Sequence, residues 1–166
     1  MNRWLFYTAV ALQVIFLMGM GVSYYAMDRF GETIILETQP LDPRDPFYGD
    51  YVTVRYSIED IPVEMWEDKK EPARGDTVFI TVEEQDSGFY ELVKASSHSE
   101  RAKAGQVELK ARFEWHNEQT DTYQVNIGLD RYFIEEGTGN TIEQAGDATA
   151  EIVVAPWGQK KIISLE

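Results

Sequence analysis

The feature that most limits what this chain can become is the stretch from Trp4 to Met27, 24 consecutive residues without a charge. Trp4, Leu5, Phe6, Val10, Leu12, Val14, Ile15, Phe16, Leu17 and Met18 make it strongly apolar. As a helix it would reach roughly 36 Å at about 1.5 Å per residue, against a hydrocarbon core of about 30 Å. The stretch therefore predicts a membrane span. Its rival is a cleaved secretory signal, whose apolar region is about 7–15 residues long and ends at a small-x-small site. Here the run is longer, and Ser23-Tyr24-Tyr25-Ala26-Met27 places tyrosines where small residues are needed. Trp4 and Tyr7 at one end, and Tyr24 and Tyr25 at the other, suit the two aromatic interfaces of a spanning helix.

Flanking charge sets the expected orientation. Arg3 precedes the run, while Asp28 and Arg29 follow it and cancel. The positive-inside rule then leaves the N-terminus in the cytoplasm and the C-terminal domain extracytoplasmic. The expectation is a single-pass membrane protein with residues 1–27 as anchor and 28–166 as one exported domain. The chain carries a net charge of −14, or −15 once Arg3 is set aside. A domain this acidic repels nucleic acid. With no cysteine, disulfides, thiol catalysis and thiolate metal sites are all excluded.

Beyond the anchor the pattern alternates with a period of two, the mark of half-buried strands. Strands are expected at Gly31 to Thr38, Tyr51 to Ile58, Thr77 to Glu83, Phe89 to Lys94, Gln106 to Trp115, Thr122 to Ile127, Leu129 to Ile134, Ala148 to Ala155 and Lys160 to Leu165. In the second, Val52, Val54, Tyr56 and Ile58 make the core face. In the fifth, Val107, Leu109, Ala111, Phe113 and Trp115 share a face. Glu59 to Arg74, with Pro62 and Pro72 among six acids and three bases, reads as an exposed connection with a short turn of helix. Asn140 to Gln144 is the best site for a short helix, and Gly128 signals a bulge or bend. The fold class is mainly β: an N-terminal transmembrane helix followed by a compact antiparallel β sandwich or partly open barrel.

The densest segment is Leu41 to Ile58. Pro43 and Pro46 stiffen a loop that carries Asp42, Arg44, Asp45 and Asp50, and Gly49 turns it into the strand that starts at Tyr51. Asp42, Asp45 and Asp50 could give oxygens to calcium, but they lack the one-three-five spacing of an acidic calcium loop, and Arg44 competes for them. Ion pairing and turn formation explain them better, with Asp50 accepting backbone N–H groups beside Gly49. Arg55, Arg131 and Tyr132 add a second polar concentration, able to bind a carboxylate or a partner's backbone, or to form ordinary interstrand ion pairs. His98 and His116 lie apart and lack metal-ligand spacing. No phosphate loop or dinucleotide fingerprint occurs, so no cofactor is expected.

Gly49-Asp50-Tyr51-Val52-Thr53-Val54-Arg55-Tyr56, preceded by Leu41-Asp42-Pro43-Arg44-Asp45-Pro46-Phe47, resembles the signature of the bacterial GDYXXLXY protein family. Gly128-Leu129-Asp130-Arg131-Tyr132-Phe133-Ile134-Glu135-Glu136-Gly137 resembles a later family segment, and Val54 stands for the leucine of the name. The resemblance implies an N-terminal membrane segment and this architecture, and it names no reaction. A weaker similarity to signal peptidases rests on Gly49-Asp50-Tyr51-Val52 and Pro72-Ala73-Arg74-Gly75-Asp76-Thr77-Val78. Those enzymes need a serine nucleophile just before the first Gly-Asp and a lysine base. No serine lies between Phe30 and Asp50, which leaves Lys94 as a base without a nucleophile. The sequence thus points to a non-enzymatic, membrane-anchored domain that binds another membrane or envelope protein. The alternatives are a degenerate peptidase-like enzyme and a small-ligand or cation-binding module. The candidate binding residues are Asp42, Arg44, Asp45, Asp50, Tyr51, Arg55, Arg131 and Tyr132.

Overall fold

The apolar run folds as one helix, α1 (Arg3–Phe30), which continues past Met27 and ends against the β domain. In this computed structural model, residues 3–41, 51–133 and 148–165 are described. The expected helix at Asn140 to Gln144, and Asp42, Arg44, Asp45 and Asp50, lie outside the described residues.

Gly31 separates the helix from β1 (Glu32–Leu41). The chain turns back through β2 (Tyr51–Tyr56) and passes a 3₁₀ turn, Ser57–Glu59, into β3 (Asp60–Pro62). After a second 3₁₀ turn, Val63–Met65, come β4 (Thr77–Glu84), β5 (Tyr90–Ser96), β6 (Gln106–Asn117) and β7 (Thr122–Asn126). The short β8 (Arg131–Phe133), β9 (Ala148–Val154) and β10 (Lys160–Leu165) complete the domain. They form two antiparallel five-stranded sheets, in the orders β10-β9-β1-β2-β8 and β3-β7-β6-β4-β5. The first sheet is therefore built from the two ends of the domain, the second from its middle.

Alternation explains the core. Ile34 and Leu36 of β1, Val54 and Tyr56 of β2 and Ile152 of β9 point inward from one sheet, and Val78, Ile80, Val82 and Leu109 from the other. Tight turns fall where glycine supplies a positive φ, as at Gly88 (83°) between β4 and β5 and Gly158 (87°) between β9 and β10. Gly128, the expected bend, also has positive φ.

Two expectations are corrected. The connection from Glu59 to Arg74 is not simply exposed: Glu59 and Ile61 are buried, and β3 pairs with β7. Pro62 is tolerated there because β3 is an edge strand. In β6 a bulge between Phe113 and Trp115 shifts the pairing with β7, which leaves Trp115 half exposed. One extra residue moves every later side chain to the opposite face.

The helix is joined to the first sheet by specific contacts. Met27 is buried with Val153 and Ala155 in a small cluster of its own. The Asp28 carboxylate accepts from Lys161 Nζ at 2.5 Å, and Lys161 also lies 4.4 Å over the Tyr24 ring. Ser23 Oγ donates to Gln159 Oε1 at 2.6 Å. Gly31 N–H donates to Met27 C=O, and a Cβ on Gly31 would collide with Val153 Cγ1 and meet that carbonyl oxygen at 2.5 Å. Only glycine fits between the last helical turn and β9. Gly31→Ala should cost about 1–3 kcal/mol through overpacking, seen as a fall in Tm of about 2–4 °C per kcal/mol in detergent-solubilised protein; an unchanged Tm would show that the junction is loose.

Candidate functional site

The chain changes sheet twice, between β2 and β3 and between β7 and β8, and the two crossings lie side by side. A single carboxylate ties them. Glu59 is 6% exposed; its Oε2 accepts the Tyr56 N–H at 3.1 Å and its Oε1 the Ile127 N–H at 2.8 Å. The first bond is the backward-reaching half of a capping box, which satisfies a donor at the start of the 3₁₀ turn. Tyr56, fully buried, donates its hydroxyl to Leu129 C=O at 3.0 Å, and Val54 N–H bonds Asp130 C=O at 3.0 Å. Residues 127–130 are thus laced along residues 54–59.

Burial pushes the Glu59 pKa from an ordinary 4.5 up to about 7, against the pull of its two N–H donors and of Arg55. Burial likewise raises the Tyr56 hydroxyl, with the Glu59 and Asp130 charges adding to it. Sequence reasoning missed Glu59, because an acid at the head of an acidic, proline-containing stretch carries the signature of surface.

Above this seam lie the sequence-predicted residues that the structure describes. β2 and β8 pair Tyr51 with Phe133, Val52 with Tyr132 and Thr53 with Arg131, which brings Tyr51, Arg55, Arg131 and Tyr132 onto adjacent strands. Arg55 is two residues from Thr53 and so shares the outer face with Arg131. Its Nη2 donates to Asp60 Oδ1 at 2.6 Å, a half-exposed ion pair that spans the sheet change. Arg131 is exposed, with Asp130 at 3.9 Å. Tyr132 is half-buried and packs on the core. Leu41, Tyr51, Phe133 and Ala148, which flank segments 42–50 and 134–147, all lie at this end of the first sheet.

Beside Asp60, a groove of about 280 Å³ is lined by Glu37, Ser57, Asp60, Met65, Tyr90 and Glu91 among others. With Asp60 paired to Arg55, Glu37 and Glu91 beside the Tyr90 ring suit a cationic side chain, by charge and by cation–π attraction. A second cleft, of about 480 Å³, opens at the opposite end of the sandwich near Phe30, Glu32 and Trp157. There Lys160 Nζ crosses between the sheets to Lys110 C=O at 2.5 Å, and burial lowers its pKa.

Other residues singled out in the sequence have ordinary surroundings. Lys94 bonds Glu67 at 2.9 Å and also Glu100, and these carboxylates raise its pKa. His98 is exposed near Asp68; His116 packs edge-on to Tyr123, with Glu71 and Asp121 each at 3.3 Å. At the second Gly-Asp, Asp76 Oδ2 accepts the Ala73 N–H at 2.9 Å beside Gly75, whose φ is +90°. Among the described residues no group of three or more His, Asp or Glu side chains is placed to hold a metal.

A family model described as GDYXXLXY protein matches residues 13–165. The chain belongs to the GDYXXLXY family. No match was found among curated proteins or among solved structures. The seam gives the described part of the family signature a physical meaning. Val54, at the leucine position, is buried in the core, and Tyr56, the closing tyrosine, carries the hydroxyl that holds Leu129.

A carboxyl whose pKa is raised by folding keeps its proton longer in the folded chain than in the unfolded one. Its contribution is therefore complete below about pH 4.5 and is lost as pH rises through about 7. The loss is on the order of 3 kcal/mol. Glu59→Gln should be less stable than wild type at pH 4.5, since it gives up one of two buried acceptors at about 1–3 kcal/mol. Between pH 4.5 and 8 it should lose less than wild type does, a difference measurable by urea unfolding in mild detergent; parallel pH profiles would contradict this role.

Proposed function

We propose that α1 is a retained single span, N-terminus in the cytoplasm, and that the β domain is an extracytoplasmic, non-enzymatic module that binds another membrane or envelope protein. The observation that carries the reading is the built-in end of α1. A cleaved signal is dispensable to the fold it leaves behind. Here the last two turns supply Met27 to a buried cluster, Asp28 to Lys161 and Ser23 to Gln159. Removal would bare Val153 and Ala155 and take the partner from Lys161, whose side chain is 17% exposed.

Reach argues for a protein partner at the seam. β1 leaves the helix end and runs ten residues, roughly 33 Å at about 3.3 Å each. Arg55, Arg131 and the ends of the Asp-rich loop thus stand well above the bilayer, beyond lipid headgroups and within reach of another protein's external domain. The acid-lined groove beside Asp60 favours a partner that presents lysine or arginine, in keeping with the net charge of −14. Lys94, the one candidate peptidase base, is held by two carboxylates that keep it protonated, which supports a binding role over hydrolysis.

The test is photo-crosslinking in the native membrane from a probe at Arg131, with one at the exposed Lys103 as control. A discrete protein adduct from position 131, absent at 103 and weakened by Glu37→Gln/Glu91→Gln, is expected. No protein adduct at 131, or labelling of an introduced cysteine at Gln39 only after the cytoplasm is opened, would refute the reading.

A further inference from the structure

The hairpin between β9 and β10 extends past the end of the sheet. Val154 pairs with Glu32 at the start of β1, so residues 155–159 continue beyond it, back along the helix. Ala155 reaches Met27, and Gln159 reaches Ser23. Ser23 lies seven residues before Phe30, roughly 10 Å further along the helix at about 1.5 Å per residue. The tip is therefore level with the point where α1 leaves its undocked part.

That undocked part has a telling length. Trp4 to Val22 is 19 residues, roughly 28 Å of helix, close to the hydrocarbon thickness of about 30 Å. If α1 spans, the acyl boundary falls near Ser23, at the height of the hairpin tip. The tip has the composition for that depth. Ile152 to Gln159 is uncharged, in a domain otherwise rich in carboxylates that anionic headgroups repel. Trp157 is 47% exposed, with its indole N–H satisfied by Gln159 Oε1 at 2.7 Å. That oxygen also accepts from Ser23, so the indole is fixed relative to the helix. A tryptophan with a free apolar face and a satisfied polar edge suits the layer between water and acyl chains.

We propose that the hairpin tip, residues 155–159, is a second membrane contact, with Trp157 seated in the interfacial layer of the bilayer that α1 crosses. It rests on the reading of α1 as a span. Because the helix end is docked to the sheet, a second membrane contact at Trp157 sets the rotation of the whole unit about the helix axis, which a single span leaves open.

The chain has no cysteine, so single-cysteine variants carry unique spin labels. Full-length Val14→Cys, Gln39→Cys and Trp157→Cys would be labelled in phosphatidylcholine nanodiscs and probed with oxygen and a water-soluble nickel complex. The label at 14 should lie deep and that at 39 in water. The label at 157 should show several-fold lower nickel accessibility, and higher oxygen accessibility, than that at 39. A water-exposed label at 157 with a deep one at 14 would overturn the proposal and leave the span standing. An aqueous label at 14 would remove both. Brominated lipid gives a check on the native side chain: Trp157→Phe should remove a lipid-quenched share of the emission, and unchanged quenching would overturn the proposal.

Discussion

The buried Glu59 carboxylate holds the two sheets in one arrangement. A sandwich whose strands come from the middle of the chain on one side and its ends on the other must cross between sheets twice. Here both crossings meet at this side chain. Tyr56 adds the hydroxyl bond to Leu129, and the Arg55–Asp60 pair closes the outside of the same crossing. A charge in such a place is costly unless paired or hydrogen-bonded. Two backbone donors are how this fold accommodates it, and burial holds its pKa above the ordinary carboxylate range.

The same seam carries Val54 and Tyr56, from the described part of the family signature, on its inner face and Arg55 and Arg131 on its outer face. Signature residues that looked like a candidate binding motif divide by strand alternation. Val54 and Tyr56 are committed to the core, while Arg55 faces outward with Arg131. The opposite end of the first sheet meets α1 and the β9–β10 hairpin. One sheet therefore connects the end of α1 to the edge where Arg55 and Arg131 lie, and the second sheet packs against it.

Much of this was legible in the sequence. The helix and the alternating strands were, because burial on one face of a strand leaves a period-two trace, as in Val78, Ile80 and Val82. The trace failed where local geometry breaks the period. The bulge before Trp115 turned that residue outward, and the three-residue β3 is too short to show alternation. Glu59 was illegible for another reason: its burial depends on donors from Tyr56 and Ile127, the second 68 residues away, and no local pattern encodes such a partner. Arg55 and Arg131 were named from the sequence, but their placement on one face required the β2–β8 register. The docking of α1 was not legible: Gly31 reads as the start of the first strand, and what crowds it, Val153, comes from a strand far along the chain.

The central claim is that the last turns of α1 belong to the β domain and stay with it. Peptide mass spectrometry of the protein extracted from its own membrane tests this most directly. The mature chain should retain the Trp4 to Val22 segment. A mature N-terminus between Ser23 and Glu32 would contradict it.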